Sequence, residues 1–263
     1  MDLGLRGKVA VVAAASSGLG KASALELARE GARVAICARD GDRLSKAAED
    51  IRATTGADVL AVVADVTRSA DAGRFIEVAV AEFGGLDILV TNAGGPPAGL
   101  FEEFDEQDWL DAFNLNFLST QRLIQNALPY LKQSESGRII AITSVSAKQV
   151  LPNLILSNAV RAGVHGLIKS LSQELGEHGI TVNAVCPGPI LTERLMNLFR
   201  RNAETQGISF EEAQAGWVRQ IPLGRLGRPE EFGAVVAFLA SQRASFVNGV
   251  LLQVDGGMVK AIM

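Results

Sequence analysis

The sequence predicts a doubly wound α/β fold, a seven-stranded parallel sheet with helices on both faces, and three observations carry that prediction. Short runs of small or β-branched residues alternate with helical patterns seven times along the chain. The first run, Val9-Ala10-Val11-Val12-Ala13, passes through a glycine-rich loop directly into a helix. The 263 residues, 48% of them hydrophobic, suffice for one large domain spanning 1–263 that buries about three-quarters of its unfolded surface.

Taken in order, the first strand, Val9 to Ala13, is apolar throughout, as a strand covered on both faces must be. The loop from Ala14 to Gly20 follows, and from Lys21 the apolar residues Leu25, Leu27 and Ala28 fall at helical spacing until Gly31 ends the helix. Arg33 to Ala38 is the second strand. A helix carrying Leu44, Ala47, Ala48 and Ile51 leads to the third strand at Val59 to Val63. A helix around Ala70 to Phe83 precedes a strand at Asp87 to Thr91, and a long helical pattern from about Glu106 to Lys132 precedes one at Arg138 to Thr143. The helix from about Asn153 to Glu177 is followed by the strand Ile180 to Cys186, and the last helix, Glu230 to Ser241, by Val250 to Val254. Strict alternation with crossovers of this length leaves a doubly wound parallel sheet as the simplest topology.

One segment departs from the alternation. Ile190 to Leu223 holds two short amphipathic patterns, around Glu193 to Arg201 and Phe210 to Gln220, beyond the carboxyl end of a strand. That is the place for a helical substrate lid, and a surface hairpin or dimer contact is the other reading. Its apolar residues Leu195, Met196, Leu198, Phe199 and Trp217 predict a lining without a distinctive polar handle.

Composition excludes several classes of function. A net charge of −4 with scattered basic residues argues against a nucleic-acid surface. No run reaches the 18 or so apolar residues that a membrane span needs, and MDLGLRGKV lacks the apolar core of a secretion signal. Cys37 and Cys186 lie within apolar strand-like runs, as buried reduced thiols of a cytoplasmic protein do, and no metal-ligand spacing is present.

The glycine loop carries the first functional signal. Strand, loop and helix follow one another directly, so backbone N–H groups and the positive end of the helix dipole converge where a phosphate would sit. Against the spacing G-x-x-x-G-x-G the first glycine is replaced by Ala14, while Gly18 and Gly20 flank Leu19 and Ser16 and Ser17 add hydroxyl donors. A purely structural turn, letting the helix pack close to the strand, is the competing reading.

These features, with Asn92-Ala93-Gly94, the segment Ile221-Pro-Leu-Gly-Arg-Leu-Gly-Arg-Pro-Glu-Glu and the ending Val254-Asp-Gly-Gly, resemble the short-chain dehydrogenase/reductase family. Its 3-oxoacyl-(acyl-carrier-protein) reductase-like branch is the best match, over essentially the full chain. The resemblance implies a Rossmann-type sheet of order 3-2-1-4-5-6-7 and a dinucleotide cofactor held by Ala14 to Gly20, by Asn92 to Gly94 and by Pro187, Gly188, Ile190 and Thr192. It also places Asp65, beside Val66, against the adenine, although an N-capping role suits the same residue. At the end of the second strand, where an acid would select NAD(H), stand Ala38 and Arg39. A guanidinium there favours NADP(H), the alternative being a solvated arginine.

The family's catalytic Asn, Ser, Tyr and Lys map onto Asn116, Ser144, Ser157 and Arg161. Both central residues are therefore replaced, although Arg161-Ala162-Gly163-Val164 continues in frame. A serine hydroxyl is far less acidic than a tyrosine's and its side chain is shorter, while arginine keeps its proton. The only tyrosine, Tyr130, lies too far along the preceding helix to substitute. Three replacements for the missing acid are conceivable: Lys148, His165, or a water held by Asn116, Ser144 and Ser157. His165 also reads as a packed histidine, and His178 as a partner for a helix C-terminus. Two functions remain open, an NADP(H)-dependent carbonyl reductase with an atypical acid and a catalytically weak dinucleotide binder that senses a ligand or partner. The resemblance further implies a homotetramer, with a dimer second, built on the helices of 106–132 and 153–177 and on the last strand.

Overall fold

The computed structural model describes residues 2–262. Seven parallel strands form one sheet in the order β3-β2-β1-β4-β5-β6-β7. They are β1 (Val9–Val12), β2 (Arg33–Ala38), β3 (Val59–Val63), β4 (Ile88–Thr91), β5 (Arg138–Ile142), β6 (Thr181–Pro187) and β7 (Leu251–Val254). Between them run α1 (Gly18–Arg29), α2 (Gly41–Thr55), α3 (Ser69–Phe83), α4 (Glu106–Phe113), α5 (Ser119–Leu131), α6 (Ile155–Glu174), α7 (Glu193–Gln206), α8 (Phe210–Val218) and α9 (Pro229–Ala240).

The two faces follow from the period of two along each strand. Ala10, Val12, Val34, Ile36, Ile88 and Val90 point to one side, where they pack on Leu27 of α1, Leu44 and Ile51 of α2, and Phe232 and Val236 of α9. Val9, Val11, Ala35, Leu89 and Ile139 point to the other, against Phe75 and Ile76 of α3, Leu123 and Ala127 of α5, and Val164 and Ile168 of α6. Both faces are thus covered by helices, which is why the strands read as continuous apolar runs rather than alternating ones.

Most element ends fall within one or two residues of the sequence expectation, and four differences are larger, one of them α6, which stops at Glu174 rather than Glu177 because Gly176–His178 forms a separate 3₁₀ turn. The first helix begins at Gly18 rather than Lys21, because Ser17 is its N-cap. The lid helix α7 continues to Gln206, five residues beyond the expected end. The long helix expected over 106–132 is interrupted: residues Asn114–Leu118 form a π turn between α4 and α5, closed by the Ser119 N–H donating to Asn114 O. The extra residue in that turn rotates Asn116 towards the sheet and buries it.

At the carboxyl ends of β1 and β4 the strand order changes direction. The Ala13 N–H still donates to Val90 O of β4 (3.1 Å), whereas the Ala15 N–H donates to Cys37 O of β2 (2.9 Å). The chain therefore switches neighbours at Ala14, and the two strands part to leave a crevice there.

Candidate active site

The crevice opens into a cavity of about 870 Å³, within the range of small-molecule and cofactor sites. It is lined along the β1–α1 corner by Ala14, Ser16, Ser17, Gly18 and Leu19. Ser17 caps α1 with extended backbone, but its hydroxyl makes no bond to the helix, so that hydroxyl and the first-turn N–H groups face the crevice unspent. Gly18 takes a left-handed φ of +57°. Gly20 lies below the cavity rather than in its wall: a Cβ there would stand 2.5 Å from Ala14 O and 2.8 Å from Asn92 Nδ2, so it is the residue that lets α1 approach the strand. Asn92 Nδ2 in turn donates to Ala14 O (3.2 Å) and fixes the turn.

Towards the β2–β3 side the cavity meets Arg39, Asp65 and Val66. Arg39 is exposed and, among the described residues, has no hydrogen-bond or ion-pair partner. Asp65 is not the N-cap of α3, which is Arg68; its Oδ1 accepts from the backbone N–H and the hydroxyl of Thr67 (3.0 and 2.7 Å), closing the preceding turn. Arg43, which sequence reasoning passed over, joins this wall and bonds Glu193 of α7 at 2.7 Å.

Towards β4, β5 and β6 the wall holds Ala93, Gly94, Ser144, Ser157, Arg161, Pro187, Gly188, Ile190 and Thr192. Ser144 Oγ accepts from the Ser146 N–H (3.0 Å), and Ser146 Oγ lies 2.9 Å from Ser157 Oγ. Ser146 thus ties the two cavity hydroxyls together. The Ser-x-Ser spacing of an ST turn was its only sequence signal. The Arg161 guanidinium donates to Thr143 O (3.0 Å), Ile142 O (3.4 Å) and Gly94 O (3.4 Å). Burial, aided by the neighbouring Arg194 charge, pushes its pKa down to about 10, so it is still a cation at neutral pH.

Three candidates move away from the chemistry. Asn116 does not line the cavity; its Nδ2 donates to the same Gly94 O (2.8 Å), and its buried Oδ1 has no protein partner among the described residues. The Lys148 ammonium is turned to Leu251 O (3.0 Å), outside the cavity wall. His165 is buried with Nε2 2.9 Å from Thr143 Oγ1 and 3.5 Å from Cys186 Sγ, and burial pushes its pKa down to about 4. It is a neutral packed histidine at pH 7. Tyr130 packs at the end of α5 against the core, and His178 lies beside Glu177 (3.7 Å) in the short turn after α6.

The lid also differs from expectation. Phe199 is fully buried between Phe210 and Trp217, and Met196 faces away. The face that α7 presents to the cavity carries Arg194, Asn197, Leu198 and Arg201, with Leu195 at its edge, so the lining has polar handles.

A switch-point crevice with a glycine corner beneath a helix N-terminus is the arrangement found in dinucleotide-binding α/β folds. Residues 13–259 match the family model described as enoyl-(acyl carrier protein) reductase. The chain is 37% identical over 252 residues to the 3-oxoacyl-(acyl-carrier-protein) reductase FabG of Staphylococcus aureus (strain Mu50), covering 95% of this chain and 98% of that one. L-sorbose reductase from Gluconobacter frateurii, solved with NADPH and L-sorbose, superposes with a TM-score of 0.94 at 33% identity over the whole of both chains. An NADPH-bound short-chain oxidoreductase from Pseudomonas aeruginosa PAO1, described as containing an atypical catalytic center, superposes with a TM-score of 0.88 at 34% identity over 97% of both chains. The chain belongs to the short-chain dehydrogenase/reductase family of oxidoreductases.

Proposed function

We propose that the protein is an NADP(H)-dependent, 3-oxoacyl reductase-like oxidoreductase that interconverts a carbonyl and a secondary alcohol, using Ser144, Ser157 and Arg161 where relatives use serine, tyrosine and lysine. The observation that carries this reading is continuity: one cavity joins the Ala14–Leu19 corner to Ser144, Ser157 and Arg161. The residues present fit the cofactor. Ser16, Ser17 and the N-terminus of α1 suit the pyrophosphate, the unpartnered Arg39 suits a 2′-phosphate, and Asp65 keeps Oδ2 free towards the adenine side. NADPH in the neighbours' crystals supports the same choice.

Bound there, the cofactor would supply a hydride. The chain's own residues do the rest. Ser144 accepts from Ser146, which leaves its O–H free to donate to a carbonyl oxygen, and Ser157 is free to do the same when Ser146 donates to it. Arg161, held by three carbonyls, places a positive charge where the alkoxide develops, and the proton comes from water in the open crevice. Asn116 acts as a positioning residue through Gly94, the carbonyl it shares with Arg161. A cytoplasmic location fits two buried free thiols, and the assembly we propose is a homotetramer.

The test is Ser157→Tyr with Arg161→Lys. With a general acid restored to a sound frame, carbonyl reduction rises about 100-fold. Unchanged turnover with intact cofactor binding favours the second reading, a ligand-binding relative, which the engagement of Ser157 by Ser146 supports.

A further inference from the structure

The cavity carries an uneven charge. Its acidic lining residues, Asp40, Asp65 and Glu193, all belong to the β2–β3 side or are paired towards it: Asp40 caps α2, Asp65 closes its own turn, and Glu193 reaches Arg43. The lid itself contributes one carboxylate to the lining, Glu193, which is taken up by Arg43, and that half of the cavity also holds three cations, Arg161, Arg194 and Arg201. Among the described residues, none of the three has an acidic partner. Arg194 crosses from α7 to the loop after β4, where it donates to Gly95 O (3.1 Å) and Pro96 O (3.2 Å). Gly95 makes room for it, since a Cβ there would meet the guanidinium at 1.9 Å.

Arg194, Asn197 and Arg201 stand at i, i+3 and i+7, one stripe of a helix about 10 Å from end to end, and all three line the cavity. Asn197 accepts from Arg200 through Oδ1, and its amide N–H pair remains to donate. Two guanidinium groups without an acidic partner, Arg194 anchored by two backbone carbonyls and Arg201 with no such anchor, line one cleft with an amide, an arrangement that suits an anion. Resting on the carbonyl-reductase reading above, we propose that the substrate is an oxo compound bearing an anionic group, a small oxo acid, whose carboxylate is held by Arg194 and Arg201 of the lid while its carbonyl meets Ser144.

Calorimetric titrations of acetoacetate, methyl acetoacetate and inorganic phosphate test this, run on the free protein and on its NADP⁺ complex, in which no hydride is available. Acetoacetate binds at least about tenfold more tightly than its ester, and the advantage shrinks as salt rises from about 50 to about 500 mM. Arg194→Met with Arg201→Met removes that advantage while the ester's and NADP⁺ affinities stay within about twofold, and Arg194→Lys with Arg201→Lys retains part of it. Phosphate binding that the methionine pair abolishes supports the same anion site, with a phosphorylated substrate as the source. Equal binding of acid and ester, no anion binding in the millimolar range, or a fall in NADP⁺ affinity matching the fall for the anion overturns the proposal. Failure of NADP⁺ to bind at all would overturn the cofactor reading instead, and the free-protein titration would still decide this one.

Discussion

Ala14 holds a left-handed φ of 49°, a conformation that costs an L-residue with a methyl about 1–2 kcal/mol. The surrounding bonds hold it there: Ala13 and Ala15 bind different strands, and Asn92 grips Ala14 O. Ala14→Gly removes the strain but loosens the unfolded chain, which leaves a net gain of about 0.5–1 kcal/mol, a rise of about 1–3 °C in a thermal melt. A lower melting temperature would show that the methyl packs usefully. This residue was legible from spacing alone, since the glycine pattern marks a place where backbone must turn tightly. Ser146 and Arg194 were not. One reveals itself only when a 3₁₀ turn folds it between two other serines. The other depends on which way α7 rotates about its axis, and that is set by Phe199 seating against Phe210 and Trp217.

The docking of α6 on the sheet is the element with a built-in sensitivity to pH. His165 of α6 meets Thr143 after β5 and Cys186 of β6 in a buried contact that suits the neutral ring. Its folded pKa, about 4, lies below the unfolded value near 6.5. The unfolded chain therefore takes up a proton first as pH falls. The contribution is fully present above about pH 6.5 and is lost progressively down to about pH 4. Between pH 7 and pH 5 this amounts to about 2 kcal/mol, read from urea midpoints as the difference between wild type and His165→Gln. Equal pH dependence in the two proteins would contradict it. Element positions came through in the sequence because buried parallel strands have only one apolar signature. The π turn at Asn114–Leu118 did not, since a one-residue insertion leaves hydrophobic spacing nearly unchanged.

At the scale of the molecule, sheet order follows from alternation and the handedness of crossovers, and it creates the crevice that the expected cofactor residues other than Gly20 line. Apolar residues are left on the outside too: Leu110 and Phe113 of α4 are exposed, with Phe113 stacked on Phe117 at 4.7 Å, and Phe246 stands fully exposed just before β7. These lie on the two surfaces from which the proposed tetramer is built, and light scattering should return about four times the 27.7 kDa chain mass. A monodisperse monomer would contradict that assembly. The substitution of the central acid is a local change in a frame otherwise kept for a dinucleotide, so cofactor binding is the claim on which the rest depends. Its most direct test is a fluorescence titration of the purified protein with NADPH and NADH, with Arg39→Ala in parallel. The account predicts micromolar NADPH binding, at least about tenfold tighter than NADH, and loss of that difference in the variant. Equal affinity for the two cofactors in the wild type, or binding of neither, would contradict it.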